Sequence, residues 1–399
     1  LADDEDDIFE CFDDFINDEL SNTIETSSNV ADSLNLNCHS CVVIDRQSNI
    51  IMYGKNESSK VKMASTTKIM TATIVLENAD LSKTIEISKK AAGTGGSRLG
   101  LKPGDKITIR DLLYGLMLCS GNDAAVALAE ALAGSIDGFS ELMNNKAKEL
   151  GLLNTHFESP HGLDSEGHYT TAYELALLTN YALKNSTFSD IVGTQNYTVT
   201  INGYPKNLRN TNELLGVLTG VYGVKTGFTN GANRCLVTAC KRGNMDIVCV
   251  VLGCDTKKFR TSDSVKLIEY CFSNFDYVDI DEIIRNKFEV WKSENNSYFS
   301  VFKGVSSYLE LKFGQLENSV IPVLKNSIPS INVVINLEKD FIAPVYPNTF
   351  VGNIVLYSND GFISSTPVFT TNDILRKSTF DYFRILIYEW KNFNLRDII

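Results

Sequence analysis

Residues 63–70 read Met63-Ala64-Ser65-Thr66-Thr67-Lys68-Ile69-Met70, which places a hydroxyl and an amine three residues apart at the start of an apolar run. On a helix, residues i and i+3 are neighbours, so the Lys68 amine can reach the Ser65 hydroxyl and, once neutral, take its proton. The apolar run that follows predicts a helix buried in a large core, where loss of hydration lowers a lysine pKa towards that of a general base. Ser65 is therefore a candidate nucleophile and Lys68 its base.

The Ser-x-x-Lys spacing is not specific by itself, because Ser59-Lys62 and Ser300-Lys303 repeat it. Two later motifs distinguish Ser65, namely Ser120-Gly121-Asn122 and then Lys225-Thr226-Gly227. In this order the three motifs resemble the active-site motifs of penicillin-binding proteins and serine β-lactamases. The residues around each motif more specifically resemble the D-Ala-D-Ala carboxypeptidases among the low-molecular-mass penicillin-binding proteins.

Composition excludes several classes of function. The 399 residues are 43% hydrophobic, enough for at least one sizeable core, and the formal charge of -12 argues against nucleic acid as a partner. No apolar run approaches the roughly 18 residues that span a bilayer. Because the chain begins at Leu1 without a charged and apolar leader, any secretory signal is expected to have been removed or left out.

Nine cysteines, an odd number scattered along the chain, do not predict a disulfide framework. Cys38-His39-Ser40-Cys41 is the one close pair, and zinc is the alternative there to small buried residues at the start of a strand. A zinc site normally needs four ligands, and no second cluster accompanies this pair. In the family that the chain resembles, small residues are common at Cys38 and Cys41, so we predict no metal and no cofactor.

The resemblance implies an α+β fold, with a β-lactamase/transpeptidase-like catalytic domain that combines a helical cluster with an antiparallel sheet. A small all-β domain and a C-terminal helix are expected to follow it. The predicted boundaries are an acidic, mobile leader over 1–36, the catalytic domain over 37–275, the β domain over 276–371 and an amphipathic helix over 372–399.

Local patterns place the second and third motifs. Ser120-Gly121-Asn122 is predicted to form a turn between two helices, one beginning near Arg110 with Thr108 as its cap and one rich in alanine. Lys225-Thr226-Gly227 is predicted to lie on the first of three antiparallel strands. If that strand is at the edge of the sheet, an extended peptide can pair with its main chain.

The resemblance also implies roles for these residues. Ser65 attacks the carbonyl of the penultimate D-alanine of a cell-wall stem peptide, and Lys68 takes its proton as an acyl-enzyme forms. Ser120 relays a proton to the leaving amine, and Asn122 orients Lys68 or the substrate amide. The backbone N–H groups of Ser65 and Phe228 hold the developing oxyanion. Water then releases the shortened peptide.

A second set of residues is expected to bind the substrate. Lys225 keeps the site positive for a substrate that ends in a carboxylate, Thr226 donates a hydrogen bond to that carboxylate, and Gly227 lets the substrate backbone approach closely. Some relatives carry an arginine in an upstream Asn-Arg-Asn segment, where this chain has Asn210-Thr211-Asn212. Arg209 is the nearby candidate for that function.

Two other functions share some of these features. A serine β-lactamase would need a glutamate that activates water, but Glu158 and Glu166 are not in the Glu-x-x-Leu-Asn context of such enzymes. A non-catalytic wall-binding protein could retain the motifs without turnover. His161 lies in a loop that resembles a characteristic loop of the carboxypeptidases, and we predict that it is structural, because Ser65 and Lys68 already supply the nucleophile and base.

The C-terminal stretch over 373–399 places apolar residues at helical spacing among basic ones. It predicts either a helix at a membrane surface, as in many relatives, or a helix that packs on the β domain. The expected partners are peptidoglycan stem peptides as substrates and β-lactam antibiotics as inhibitors. The expected location is the cell envelope of a bacterium, outside the cytoplasm, either free there or peripheral on the outer face of the cytoplasmic membrane.

Overall fold

The computed structural model describes residues 34–359 and 361–392 and divides them into two compact units, which meet in sequence between Phe275 and Asp276. The acidic leader predicted over 1–36 lies outside the described residues except for its last three positions.

The first unit combines helices with an antiparallel sheet. Its helices are α1 (Lys68–Asn78), α2 (Lys89–Ala92), α3 (Ile109–Met117), α4 (Asn122–Ala133), α5 (Ile136–Glu149), α6 (Ala172–Ala182), α7 (Ser186–Gly193) and α8 (Lys257–Asn274). Its strands are β1 (Ser40–Asp45), β2 (Ile51–Lys55), β3 (Thr84–Glu86), β4 (Lys106–Thr108), β5 (Asn196–Ile201), β6 (Tyr204–Arg209), β7 (Val221–Thr229), β8 (Asn233–Arg242) and β9 (Met245–Cys254). A 3-10 turn, Ala64–Thr67, leads into α1.

The main sheet has the strand order β2-β1-β9-β8-β7, with antiparallel neighbours throughout. Strands β8 and β9 are central and buried on both faces, because α8 packs against them on one side and the helical cluster on the other. Strand β7 is at the edge of this sheet, so one side of its main chain is available for pairing. The meander β7-β8-β9 is confirmed.

Helix α1 is the centre of the helical cluster. It packs against α3, α4, α5 and α6, and its first eight residues, Lys68 to Val75, are all buried. The predicted buried helix is thus confirmed. The predicted cap at Thr108 is confirmed, because its hydroxyl accepts the Asp111 N–H at the start of α3. The alanine-rich helix α4 begins at Asn122. The second motif therefore forms the predicted turn between two helices.

The second unit is built around strands, with one element that we did not predict. Its elements are β10 (Phe275–Asp279), α9 (Ile280–Glu294), β11 (Ser300–Phe302), β12 (Leu311–Phe313), β13 (Val320–Leu324), β14 (Asn332–Leu337), β15 (Asp340–Ile342), β16 (Phe350–Ser358), β17 (Gly361–Thr370) and α10 (Thr379–Asn392). The largest sheet has the order β12-β17-β16-β14. Helix α9 corrects the expectation of strands alone over 276–371. Asp279 caps it, and it buries Ile280, Ile284 and Phe288 along one face.

The C-terminal helix α10 begins at Thr379, seven residues later than the start predicted at 372, and residues 393–399 lie outside the described part of the chain. Its side chains are exposed along almost its whole described length, including Phe383 at 58% and Trp390 at 80%. The predicted alternative, a helix that packs on the β domain, is therefore wrong for the described residues. Within those residues no helix is long and apolar enough to cross a bilayer.

Candidate active site

The nucleophile turn, which we define as residues Ala64–Thr67, presents Ser65 at the entrance to α1. It is a 3-10 turn with the Thr66 hydroxyl donating to the Met63 carbonyl at 2.6 Å, and Ala64 has a left-handed φ of 48°. In 3-10 geometry residues i and i+3 are eclipsed, closer in alignment than on an α-helix. Ser65 and Lys68 consequently point the same way, with Nζ 2.7 Å from Oγ.

Lys68 Nζ has three oxygen neighbours: Ser65 Oγ and Asn122 Oδ1 at 2.7 Å each, and the backbone oxygen of His161 at 2.9 Å. Asn122 is held in this orientation because its amide nitrogen donates to the Gly95 carbonyl at 2.7 Å. As an ammonium, Lys68 donates to all three oxygens. As a neutral amine, it gives its two N–H groups to the amide and carbonyl oxygens, which only accept, so its lone pair faces the Ser65 hydroxyl.

The environment of Lys68 favours that neutral form. The side chain is completely buried, and this burial lowers the pKa of Lys68 well below its usual value of 10.5. The positive charge of Lys225 lowers the pKa of Lys68 further. Burial also lowers the pKa of Lys225, to about 7, with the charge of Arg260 acting in the same direction. Burial thus lowers the pKa of both amines, because neither has the access to water that would hydrate its charge.

Strand β7 brings the third motif against the nucleophile turn. A Cβ atom built on Gly227 would lie 3.1 Å from the Ser65 nitrogen and 3.2 Å from the Ala64 Cβ, so only glycine lets the two segments meet without adjustment. Lys225 is 1% exposed, and its Nζ donates to the Thr226 carbonyl at 2.9 Å. Gly227 therefore allows close approach of the protein's own backbone, a contact that the sequence analysis did not predict.

Thr211, and not Arg209, takes part in the described contacts of the third motif. Arg209 is exposed at the end of β6, where it pairs in register with Asn196. Thr211 instead contacts the third motif, with its hydroxyl 2.7 Å from that of Thr226. The segment that replaces Asn-Arg-Asn thus supplies a hydroxyl to the third motif.

A buried cation near Lys225 was missed by the sequence analysis. Arg260, in the first turn of α8, is 4% exposed and pairs with Glu213 Oε2 at 2.9 Å. Thr261 donates to the same carboxylate oxygen at 3.0 Å. No motif marks Arg260, and its proximity to Lys225 arises only when α8 packs on the sheet.

The remaining predicted residues lie around this cluster. Ser120 is 7% exposed, has a left-handed φ of 61° and precedes Asn122 by two residues in the turn before α4. Phe228 follows Gly227 on β7, and its exposed ring stacks on the Arg234 guanidinium at 3.8 Å. His161 contributes its backbone oxygen, while burial lowers the pKa of its side chain to about 3. A ring that stays neutral agrees with a structural role for His161.

The competing sequence patterns are not arranged for this chemistry. Ser59 is exposed in a loop and Ser300 is exposed on a short strand, so neither forms a buried pair on a helix. Glu158 and Glu166 are both exposed, and no described contact joins either side chain to Ser65. Cys38 and Cys41 are buried free thiols at the start of β1, and the described residues hold no cluster of side chains suited to a metal ion.

Comparison with known proteins shows the family of this chain. Residues 25–256, more than half of the chain, match the sequence pattern of the D-alanyl-D-alanine carboxypeptidases, peptidase family S11. This chain belongs to that family. Carboxypeptidase DacF of Bacillus subtilis is 32% identical over 360 residues, which are 89% of this chain and 90% of the relative. Carboxypeptidase DacD of Escherichia coli is 32% identical over 362 residues, 86% and 89% of the two chains.

Solved structures agree with the family and with the predicted α+β fold. The carboxypeptidase DacD of Francisella tularensis superposes with a TM-score of 0.72 at 27% identity, covering 89% of this chain and 97% of that one. Penicillin-binding protein 5 of Haemophilus influenzae gives a TM-score of 0.69 at 25% identity, covering 89% and 100%. The chain is accordingly a serine-type D-alanyl-D-alanine carboxypeptidase with the fold of the penicillin-binding proteins.

Proposed function

We propose that Ser65 is the nucleophile of this carboxypeptidase and Lys68 its general base. The observation that carries this proposal is the contact set of Lys68 Nζ, which lies 2.7 Å from Ser65 Oγ while two fixed acceptors bind its N–H groups. Ser65 attacks the carbonyl carbon of the penultimate D-alanine, and Lys68 takes the hydroxyl proton. The bond to the terminal D-alanine then breaks, and Ser120 relays the proton to the leaving amine.

The oxyanion that forms on this carbonyl accepts hydrogen bonds from the backbone N–H groups of Ser65 and Phe228. Close contact of Gly227 with the Ser65 nitrogen supports this assignment, because it holds the two segments side by side. A preorganised donor of this kind is worth about 10²-fold or more in rate. Asn122 keeps Lys68 in place throughout, through its 2.7 Å contact.

The substrate is a peptidoglycan stem peptide that ends in D-Ala-D-Ala and pairs along the edge strand β7. Lys225 and Thr226 bind its terminal carboxylate, and the Thr211 hydroxyl orients that of Thr226. Arg209, which is exposed at the end of β6, is a further candidate to bind the same carboxylate. β-Lactams, which carry a carboxylate beside a strained amide, acylate Ser65 and inhibit the enzyme.

One experiment separates this function from its two alternatives. The full chain is incubated with labelled benzylpenicillin and, separately, with a peptide that ends in D-Ala-D-Ala. The proposal predicts a long-lived adduct on Ser65 and release of free D-alanine. Rapid hydrolysis of penicillin without a lasting adduct would identify a β-lactamase. If neither an adduct nor free D-alanine forms, the chain would be a non-catalytic binding protein.

A second proposal concerns α10, which we infer binds the surface of the membrane beside the cell wall. Phe380, Phe383, Ile387 and Trp390 follow one face of the helix and are 37% to 80% exposed. Its polar side carries charges of both signs, including Asp381 and Arg384. The 14 described residues of this helix can lie in the interface of a bilayer and are too few to cross it. The enzyme would then act peripherally in the bacterial envelope, outside the cytoplasm.

Fluorescence of Trp390 is expected to report this contact directly, because the chain has two tryptophans and Trp291→Phe leaves Trp390 alone. Vesicles of phosphatidylglycerol and phosphatidylethanolamine should shift its emission to shorter wavelength and carry the full chain down in sedimentation. Adding Phe383→Asp, which charges the apolar face, should abolish both effects. An unshifted spectrum and no sedimentation of the Trp291→Phe protein would remove the membrane proposal.

A further inference from the structure

His168 is a buried histidine close to the active site that none of the roles above uses. It is 2% exposed, and its position is held on both sides of the ring. The Glu158 backbone N–H donates to Nδ1 at 3.0 Å, so this nitrogen carries no proton in the neutral ring. The other nitrogen, Nε2, must therefore carry the proton, and it lies 2.7 Å from the Thr67 hydroxyl.

The hydrogen bonds continue from Thr67 into the nucleophile turn. Because Nε2 donates to the Thr67 oxygen, the Thr67 hydroxyl is free to donate onwards, and it reaches the Ala64 carbonyl at 2.8 Å. Ala64 is the residue before Ser65, and its left-handed φ of 48° is unfavourable for an alanine. A conformation of this kind persists only where its surroundings hold it.

We propose that His168 is a positioning residue for the nucleophile, holding the Ala64 carbonyl through Thr67 and so fixing the turn that aims Ser65 at Lys68. The inference rests on the proposed role of Ser65. His168 touches no reacting atom, and its effect is geometric. Displacement of a nucleophile by about 1 Å can cost 10²-fold in rate. The neutral ring is required, since a second proton on Nδ1 would face the Glu158 N–H.

The charged and titratable groups around His168 leave it neutral at ordinary pH. Burial lowers the pKa of His168 to about 4; Glu158 and Asp164 oppose this shift, whereas His156 and Lys68 add to it. The His168 ring gains a second proton only as the pH falls towards this pKa, and that proton would break the contact with the Glu158 N–H. Between neutrality and about pH 5, the tautomer is fixed by the two hydrogen bonds.

Acylation of Ser65 by labelled penicillin, measured as a rate constant for the folded full-length enzyme, tests this role. His168→Asn keeps an acceptor near the Glu158 N–H but cannot reach Thr67, and Thr67→Val removes the hydroxyl. Each should slow acylation about tenfold or more. The double variant should be no slower than the slower single, since both changes break one chain of contacts. His168→Gln, which restores a donor towards Thr67, should recover most of the rate.

His156→Asn is the matched control, because His156 lies on the same loop and its ring contacts the Gly167 carbonyl instead of Thr67. It should leave the rate unchanged. If His168→Asn lowers only the melting temperature and acylates at the wild-type rate, the inference is wrong while the proposed function stands. If the wild-type enzyme forms no adduct on Ser65, the proposed function itself fails.

A spectroscopic measurement keeps the test open should His168→Asn fail to fold. The chain has four histidines, so ¹⁵N-imidazole labelling gives a simple spectrum, in which His168→Gln identifies the signals of His168. The expected pattern is a protonated Nε2 and an unprotonated Nδ1 that do not titrate between pH 7 and about pH 5. The opposite tautomer, or titration near the ordinary value of 6.5, would overturn the inference.

Discussion

Replacing Lys68 with methionine is expected to slow the acylation of Ser65 by about 10³-fold or more, the largest effect of any single change discussed except loss of Ser65 itself. Methionine fills nearly the same buried space but offers no lone pair to take the hydroxyl proton. Because the lysine is completely buried, its removal also eliminates a costly buried amine. The melting temperature should therefore not fall by much while the activity is lost.

Labelled-penicillin kinetics and release of D-alanine from a D-Ala-D-Ala peptide measure this loss. Lys303→Met is the control, since Ser300 and Lys303 repeat the same spacing in the second unit and are predicted to have no catalytic role. Acylation by Lys68→Met within tenfold of the wild-type rate would show that another group is the base. A loss in Lys303→Met would show that the effect is not specific to the buried pair.

Replacing Gly162 with alanine should disrupt the nucleophile turn and the fold together. Gly162 has a left-handed φ of 85°, and a Cβ built on it would overlap the Ala64 carbonyl oxygen and lie 2.5 Å from the Thr67 hydroxyl. Both neighbours belong to the turn that presents Ser65, and one of them is backbone. We expect a loss of about 3 kcal/mol or more in the free energy of unfolding, and a fall in acylation of about 10²-fold.

Gly151→Ala separates the steric effect from the cost of the backbone conformation. Gly151 also has a left-handed φ, of 73°, but a Cβ there meets nothing within 4 Å. Its replacement should cost only about 1–2 kcal/mol and leave acylation of the folded enzyme unchanged. Equal losses of stability and rate in the two variants, measured by denaturant unfolding and penicillin labelling, would contradict the role assigned to Gly162.

The parts of the site that sequence reasoning predicted are those marked by residue type and local period. Ser65 and Lys68 share a face because their spacing matches a helical turn, and the apolar run after them marks a buried helix. Thr108 is recognisable as a cap because a threonine precedes a helical pattern. The meander of β7, β8 and β9 follows from three consecutive strand patterns in the sequence. These features depend on residues close together in the chain.

The parts that were missed depend on contacts between distant segments. The backbone oxygen of His161 binds Lys68, but any residue would supply such an oxygen, so no side-chain pattern marks it. Thr211 meets Thr226, and Arg260 comes near Lys225, only after separate elements pack. Helix α9 did have a local signal, because Asp279 and three apolar residues four apart mark its start and its face. This signal was missed because the prolines and short alternating stretches that follow favoured a domain made of strands alone.

The exposed α10 shows a different kind of gap. Its apolar spacing predicted an amphipathic helix correctly from Thr379 onwards, but the pattern is the same whether such a helix packs on protein or on lipid. Exposure of Phe383 and Trp390 shows that these side chains are not packed on the described strands of the same unit. Whether lipid covers the apolar face of α10 is tested by the binding of the full chain to vesicles.

The pH dependence of Ser65 acylation tests most directly whether neutral Lys68 is the base. The rate constant at low penicillin concentration reports the free enzyme and should rise as Lys68 loses its proton. Since burial and Lys225 lower the pKa of Lys68, the rise should be complete well below pH 10.5. Lys225→Met removes the like charge, so its rise should move to higher pH. A wild-type rise centred near 10.5, or no shift in Lys225→Met, would contradict the account.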